Sequence, residues 1–209
     1  MTDSPSPTPP FRTRRSGGAR RAAVLEVAAQ VIVERGYERT RFSDVSQASG
    51  VAVSTLQFYF GSRDDMLIEA LYTTTDNEVR ALEQAAFDSE DPWRRILELL
   101  DHGLATLPVG AWRMLLEFWY ACAHDEELRQ HSVTLQRRYR APFLETIKEG
   151  VGSGRFTPKG EPEDCTTVIL SMLDGLLVPR VLEHTYINED EVKRLIKSQV
   201  SDLLGVRES

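Results

Sequence analysis

The sequence predicts an all-α protein in which an N-terminal three-helix domain containing a helix-turn-helix precedes a larger C-terminal helical domain. Three observations support this fold class. Apolar residues recur at helical spacing in successive segments between Arg20 and Leu204. Two short helical segments meet around Gly50, which is the layout of a helix-turn-helix. The length of 209 residues suffices for one large or two small domains.

The first predicted helix runs from about Arg20 to Arg35 and supports the fold. Its wide apolar stripe consists of Val24, Leu25, Val27, Ala28, Val31 and Ile32. Gly36 ends this helix because glycine tolerates left-handed backbone dihedral angles. Thr40 or Ser43 is expected to cap the helix that follows.

Two further short helices are predicted within residues 42–60, separated by Gly50. The buried stripe of the second short helix comprises Val53, Leu56 and Phe60. The side chains left to point elsewhere are those of Ser54, Thr55, Gln57, Phe58 and Tyr59. Because the second helix of a helix-turn-helix fits the major groove of DNA, these positions are candidate DNA contacts.

Three stretches of this region resemble the DNA-binding domain of the tetracycline-repressor (TetR) family of regulators. They are Gly50-Val51-Ala52-Val53-Ser54-Thr55-Leu56, Tyr59-Phe60 and Ser62-Arg63-Asp64-Asp65-Met66-Leu67. The resemblance extends from about residue 20 to residue 71. It implies that a double-stranded DNA operator is bound, and the expected DNA-contacting residues are Arg41, Ser43, Val53, Ser54, Thr55, Gln57, Phe58, Tyr59 and Arg63.

The chain departs from the family pattern at three of these positions. Gln57 stands where the family usually has a tyrosine, and it either hydrogen-bonds an adenine edge or contacts a phosphate. Arg63 replaces the usual lysine and keeps a cation for phosphate. Arg41 stands where a capping Ser or Thr is implied, so it is interpreted as a phosphate contact or, equally, as a solvated surface arginine.

The distribution of charge agrees with a DNA-facing N-terminal region. The whole chain has a net charge of −7, yet residues 1–63 contain nine basic and five acidic residues. Residues 1–18 are rich in Pro, Ser, Thr and Gly and are predicted to form a disordered basic arm. Its arginines, Arg12, Arg14 and Arg15, either belong to a passive tail or contact the minor groove or phosphates.

A long helix is predicted from Arg63 to about Phe87, opened by a capping box of Ser62 and Asp65. This helix links the two halves, so that its movement would move the DNA contacts. The predicted division is a basic arm at 1–18, a helix-turn-helix DNA-binding domain at 19–66, and a helical ligand-binding and dimerisation domain at 67–209.

The C-terminal domain contains an unusually aromatic helix, predicted from Ala111 to about His124, after a helix that begins at Asp91-Pro92 and runs to about Thr106. So many aromatic residues on one helix favour a ligand cavity over plain core, although core packing is the alternative. The expected ligand-contacting residues are Trp93, Leu97, Trp112, Leu115, Phe118, Trp119, Cys122, Tyr139, Phe143 and Met172. The ligand is expected to be small and mostly apolar or aromatic, with His102, Arg113 and Glu117 as further possible lining residues.

The remaining helices are predicted at about 125–150, at 164–183, and after a cap at Asn188. Pro142 either bends the first of these or marks a junction between two helices. The last two are expected to pair with the same hairpin of a second subunit, as the resemblance implies, or else to be buried within one chain. The expected homodimer contacts are Leu173, Leu176, Val181, Leu195, Ile196, Val200 and Leu203.

Several function classes find no support in the sequence. The four histidines lack paired metal spacing, and no phosphate-binding loop or nucleophile elbow is present, so no catalytic residue, metal or cofactor is expected. Cys122 and Cys165 are expected to be buried reduced thiols. No apolar run is long enough to span a membrane and no secretory signal is evident, so the expected location is the cytoplasm.

Together these features predict a ligand-responsive transcriptional regulator. The expected form is a repressor that binds a pseudo-palindromic operator as a homodimer and is released by a small molecule. The alternatives are a ligand-insensitive architectural DNA-binding protein and a helical enzyme that uses the aromatic cavity. An enzyme would consume its ligand, whereas a regulator would return it unchanged.

Overall fold

The structure is a computed structural model that describes residues 18–85, 89–104, 109–184 and 188–206. Within these ranges the ordered elements are helices, and the predicted all-α fold class is confirmed. They are α1 (Gly18–Arg35), α2 (Phe42–Ser49), α3 (Val53–Phe60), α4 (Arg63–Ala85), α5 (Pro92–Gly103), α6 (Val109–His124), α7 (Glu126–Gly152), α8 (Pro162–Asp174), α9 (Leu177–Val181) and α10 (Glu189–Leu204). The predicted basic arm, with Arg12, Arg14 and Arg15, lies outside the described residues.

Side-chain caps begin several helices where the sequence predicts them. The Ser62 hydroxyl accepts a hydrogen bond from the Asp65 amide at 3.0 Å and so caps α4. Asp91 accepts from the Trp93 amide at 3.1 Å at the start of α5. Asn188 likewise caps α10.

The start of α2 differs from the prediction that Thr40 or Ser43 would cap it. The Thr40 hydroxyl donates back to the carbonyl of Gly36 at 2.9 Å and is fully buried, so it is not available as a cap. Instead the Asp44 carboxylate, inside the first turn, accepts from the Arg41 amide at 2.8 Å. The cap is therefore supplied from within the helix.

Two hydrophobic clusters form the interior. The first cluster contains residues of α1, α2, α3, α4, α6 and the first half of α7. The second contains residues of α5, the second half of α7, α8 and α10. Helix α4 contributes to both, through Val79 in the first cluster and Leu82 in the second. The helix-turn-helix thus shares its core with the cavity-bearing part of the chain.

In the C-terminal part, the structure decides between two predicted alternatives at Pro142 and divides one predicted helix in two. Pro142 lies inside the continuous helix α7, which excludes a junction between two helices at this point. The segment predicted as one helix at 164–183 instead breaks after Asp174 and continues as the short α9. Gly175 lowers helix propensity at the break, and Pro179 cannot donate a backbone hydrogen bond to the carbonyl of Gly175.

Both cysteines are buried and free, as predicted. Across the ranges that the structure describes, no helix combines the length and the apolarity that crossing a bilayer requires.

Candidate functional site

The helix-turn-helix is held together by a small apolar core. Val45 of α2, Val51 of the turn and Leu56 and Phe60 of α3 are buried. The turn itself depends on Gly50, which ends α2 with a φ of 67° in the left-handed region where glycine has no steric cost. Packing of these residues fixes the angle at which α3 is presented to a partner.

Helix α3 presents an exposed face of mixed character. Ser54, Gln57 and Phe58 are exposed, and Phe58 retains 57% of its surface accessibility. Thr55 and Tyr59 are half-buried at the border of this face. The exposure of this ring is compatible with the expected DNA contact of Phe58, which stays a prediction.

One residue of the predicted buried stripe lies on the surface instead. Val53 is 36% exposed because it occupies the first position of α3, where the preceding turn leaves its side chain uncovered. It therefore joins the exposed face of α3, where it was also expected to contact DNA. Arg41 and Ser43, at the start of α2, are exposed as well.

The guanidinium of Arg63 makes several contacts within the protein. Its Nε donates to the carbonyl of Thr40 at 2.7 Å, its Nη2 to the carbonyl of Tyr37, and its Nη1 to Asp64. Its guanidinium also lies over the Tyr37 ring, with Cζ 5.0 Å from the ring centroid. These contacts join the start of α4 to the segment before α2, and the expected phosphate contact stays a prediction.

A second arginine fastens α1 to α4. Both terminal nitrogens of Arg21 donate to the carboxylate of Glu69, a bidentate arrangement that favours one geometry. The same guanidinium lies 4.6 Å from the centroid of the Phe60 ring at the end of α3. The orientation of the helix-turn-helix is therefore tied to α4.

A cavity of about 180 Å³ lies in the body of the molecule. Its walls come from α4, α5, α6, α7, α8 and α9. The lining residues are Thr74, Thr75, Glu78, Val79, His102, Gly103, Trp112, Met114, Leu115, Phe118, Trp119, Leu135, Gln136, Tyr139, Leu173, Asp174 and Leu177. A space of this order admits a small molecule, since a cavity of roughly 150 Å³ holds benzene.

Half of the residues expected to contact a ligand line this cavity. Four of them are neighbours on α6 and one lies on α7; they are Trp112, Leu115, Phe118, Trp119 and Tyr139. His102, considered as a polar lining residue, also faces it. The aromatic helix thus supplies one complete wall.

The other expected ligand contacts lie elsewhere. Trp93 packs edge-on against Phe156 with ring centroids 6.5 Å apart, and Phe143 is fully buried in the second cluster. Leu97 and Met172 are half-buried outside the lining. Phe143 belongs to the second cluster and Trp93 and Met172 pack against it, while Leu97 also lies outside the cavity lining, so contact of these four residues with a ligand stays a prediction.

Cys122, Arg113 and Glu117 of α6 are also outside the lining. The Cys122 thiol points to the carbonyl of Leu128 at 3.5 Å within the first cluster, where burial raises its pKa to about 11. Arg113 is exposed. Glu117 turns towards the N-terminal domain and accepts a hydrogen bond from the Tyr37 amide at 3.0 Å.

The contribution of α4 and the two acidic residues of the wall were not predicted from the sequence. Glu78 comes from α4 and Asp174 from the end of α8. The available signal was the period of α4, which places Thr74, Thr75 and Glu78 on one side of the helix. Periodicity alone does not show that this side borders a cavity.

Burial changes the chemistry of the cavity wall. It raises the pKa of the Tyr139 hydroxyl to about 12, with Asp174 and Glu78 acting in the same direction, so this phenol stays protonated. Partial desolvation also raises the pKa of Asp174. The described lining residues include two carboxylates, Glu78 and Asp174, both of which are exposed, and no lysine or arginine.

A cation already occupies one surface of Trp112. The Arg180 guanidinium lies 4.5 Å from the centroid of the Trp112 ring and donates to the carbonyl of Leu104 at 3.2 Å. The aromatic rings of Phe118, Trp119 and Tyr139 are therefore the better surfaces for a ligand.

Four large apolar residues of the C-terminal helices are exposed. They are Val168, Val178, Leu182 and Leu195. Three residues expected at a subunit interface, Leu173, Ile196 and Val200, are instead buried in the second cluster, because α8 packs on α7 and α10, and α10 packs on α5. Leu176, Val181 and Leu203 are half-buried beside them, and only Leu195 of the expected set is exposed.

No group of three or more potential metal ligands clusters in the part of the chain that the structure describes. His102 lines the cavity, whereas His131 is buried against Tyr72.

Comparison with known proteins covers both halves of the chain. Residues 92–205 match a family model described as BetI-type transcriptional repressor, C-terminal. Residues 24–70 match a model described as Bacterial regulatory proteins, tetR family.

Two relatives align along most of the chain. The HTH-type transcriptional regulator YfiR of Bacillus subtilis (strain 168) is 27% identical over 174 residues, which cover 80% of this chain and 83% of that protein. The HTH-type transcriptional regulator BetI of Rhizobium meliloti (strain 1021) is 26% identical over 191 residues, covering 87% and 88%.

Solved structures share the fold. A transcriptional regulator from Saccharomonospora viridis in complex with choline has a TM-score of 0.81 at 21% identity and covers 90% of this chain and 98% of its own. The regulator FadR from Bacillus subtilis in complex with stearoyl-CoA has a TM-score of 0.73 at 17% identity, covering 89% and 99%. At these identities the likeness extends to the fold alone.

Proposed function

Because the chain belongs to the TetR family of transcriptional regulators, we propose that it is a repressor that a small molecule releases from its operator. In this proposal residues 19–66 bind a pseudo-palindromic operator in the cytoplasm. Residues 67–209 bind the small molecule and hold two subunits together as a homodimer.

One observation carries the proposal. Helix α4 begins at Arg63, beside the helix-turn-helix, and lines the cavity about three turns later with Thr74, Thr75 and Glu78. A molecule that enters the cavity therefore contacts the same helix that supports the DNA-facing elements. Release requires that the ligand bind more tightly to the conformation in which the two recognition helices do not fit consecutive major grooves.

Operator binding is tested by selecting duplexes from a random library with the purified protein. We expect enrichment of a pseudo-palindrome whose half-sites are separated by about one helical turn, or a multiple of it. Binding without any sequence preference would instead favour an architectural DNA-binding protein.

We further propose that the ligand is an organic cation with an apolar body. The support is the combination of Glu78 and Asp174 with the rings of Phe118, Trp119 and Tyr139, because carboxylates and aromatic faces both attract a cation. The earlier expectation of a mostly apolar ligand applies to the body of this cation, since most of the wall is hydrocarbon. The regulator from Saccharomonospora viridis, solved with choline, points in the same direction.

Choline and its neutral isostere, in which a tert-butyl group replaces trimethylammonium, provide the matched test. Choline is expected to release the selected duplex and the isostere to do so far more weakly. Asp174→Asn should weaken choline binding at least tenfold, about 1.4 kcal/mol, and leave isostere binding unchanged. Calorimetric titration measures both, and equal affinity for the two compounds would refute the cationic class.

The direction of the pH dependence follows from the same residue. Partial desolvation raises the pKa of Asp174, so its carboxylate loses its charge at a higher pH than a fully hydrated aspartate does. Choline affinity should accordingly fall as the pH is lowered through that pKa.

A further inference from the structure

Glu117 lies on the cavity helix but contacts the DNA-binding half of the chain. Phe118 and Trp119, which follow it on α6, line the cavity. The Glu117 carboxylate instead accepts a hydrogen bond through Oε2 from the amide of Tyr37, at 3.0 Å. Residues adjacent on one helix move together, so a displacement of the cavity wall also displaces this carboxylate.

The segment after α1 leaves space for this contact. Gly36 has a φ of 83°, and a Cβ atom at this position would lie 3.3 Å from Oε1 of Glu117, closer than most such contacts. Glycine therefore allows both the left-handed turn and the close approach of the carboxylate. The contact depends on α6 staying in place, because a hydrogen bond weakens within a few tenths of an ångström and a few tens of degrees.

Tyr37 passes the contact on to the helix-turn-helix. Its carbonyl accepts from Nη2 of Arg63, the first residue of α4, and its ring lies beneath the same guanidinium. Nε of Arg63 in turn donates to the carbonyl of Thr40 at 2.7 Å. Thr40 directly precedes the N-cap residue of α2. The backbone of one residue thus contacts α6 through its amide and α4 through its carbonyl.

We propose that Glu117 is a positioning residue that couples the cavity wall of α6 to the helix-turn-helix through the backbone of Tyr37 and the side chain of Arg63. This coupling rests on the proposed function and adds a second route beside the direct one along α4. Alternatively, the contact merely caps the end of α1, in which case its loss would alter stability but would not alter communication between the two halves.

The test uses the response of α6 to DNA. The chain has three tryptophans, and Trp93→Phe leaves only Trp112 and Trp119, both on the cavity wall of α6. Saturating amounts of a duplex selected from a random library should shift the emission of these two residues. Anisotropy of the labelled duplex measures binding separately.

In the Trp93→Phe background, Glu117→Ala should lose at least half of the emission shift while duplex binding still reaches saturation. Glu117→Asp keeps the charge but shortens the side chain by one methylene group, and should lose a similar share. Glu117→Gln keeps an acceptor oxygen at the same reach and should retain most of the shift. Glu127→Ala removes an exposed carboxylate of α7 and is the matched control.

A full shift in either Glu117→Ala or Glu117→Asp would overturn the proposal. So would the absence of any shift in the Trp93→Phe background itself, a result that does not require a Glu117 variant to fold. Because the readout is the response to DNA, it is independent of whether the cavity binds a cation. Failure of choline to release the duplex would therefore count against the proposed ligand and not against Glu117.

Discussion

At the scale of single residues, His131 shows how packing alters the chemistry of a side chain. Its ring stacks on Tyr72 with centroids 3.6 Å apart and meets Phe118 edge-on at 6.3 Å. Its Nε2 has no hydrogen-bond partner among the described residues. Burial lowers its pKa to about 4, with Asp76 opposing the shift and Arg138 adding to it.

We expect His131 to make the protein less stable in mild acid. Its folded pKa lies below the unfolded value of 6.5, so between these two values the unfolded chain binds the proton and stability falls as the pH is lowered. The loss should be about 2 kcal/mol between pH 7.5 and pH 5. His131→Phe keeps a stacking ring and should remove this part of the pH dependence, as measured by urea unfolding at both pH values. An unchanged slope would show that other groups cause it.

Gln57 is the residue whose substitution best separates sequence reading from general DNA affinity. Gln57 is exposed on α3, as is Phe58, whereas Thr55 is half-buried. Gln57→Ala should change which selected duplexes are preferred, by about 1–3 kcal/mol at the affected base, while non-specific binding is retained. Competition among selected duplexes measures this, and an equal loss on all sequences would assign Gln57 to phosphate.

At the scale of elements, α4 and α7 are joined by an ion-pair network across the first cluster. Arg138 of α7 donates to Glu83 through Nε and Nη2, both at 2.8 Å, and through Nη1 to Asp76 of α4. Asp76 is only 7% exposed, so its charge depends on these partners. The hydrogen bonds from Arg138 lower the pKa of Glu83.

Removal of the arginine should therefore loosen the contact between the two helices. Arg138→Ala is expected to reduce the free energy of unfolding by about 1–3 kcal/mol, because Asp76 loses one of its two arginine partners, the other being Arg80. The neighbouring Arg137 is exposed, and Arg137→Ala should change stability by less than about 0.5 kcal/mol. Chemical denaturation of both variants at neutral pH decides between a structural network and a surface pair without energetic effect.

At the scale of the whole molecule, the exposed apolar residues Val178 and Leu182 bear on the proposed assembly. Leu182 is 59% exposed and Val178 is 52% exposed, whereas the adjacent Leu177 and Val181 are half-buried. Exposed apolar side chains are stabilised by being covered, and a twofold axis covers them with the same surface of a second copy. Dimerisation would also bring two recognition helices to one operator.

Leu182→Glu should weaken self-association at least tenfold, because a carboxylate would then be buried without a partner in the interface. Operator affinity should fall with it, while the helical content stays the same. Val133→Glu introduces the same charge at a 48% exposed position of α7 and should leave the dimer intact. Sedimentation velocity distinguishes the two, and equal behaviour of both variants would move the interface elsewhere.

Local chemistry explains which features of this protein could be predicted from the sequence. Helix starts at Ser62, Asp91 and Asn188 depend on one side chain and an amide two or three residues away, so short-range patterns reveal them. The same holds for the helix-turn-helix, whose glycine and apolar residues lie within about twenty positions. The family resemblance also rested on this contiguous stretch.

Only the tertiary structure decided which apolar and polar faces meet. Tyr139 and Phe143 lie one helical turn apart on α7, yet Tyr139 lines the cavity and Phe143 fills the second cluster. Glu78 and Asp174 are brought to one wall by helices distant in sequence. Helical periodicity defines the face on which a side chain lies, whereas the crossing of helices determines what that face contacts, and this depends on the packing of the whole chain.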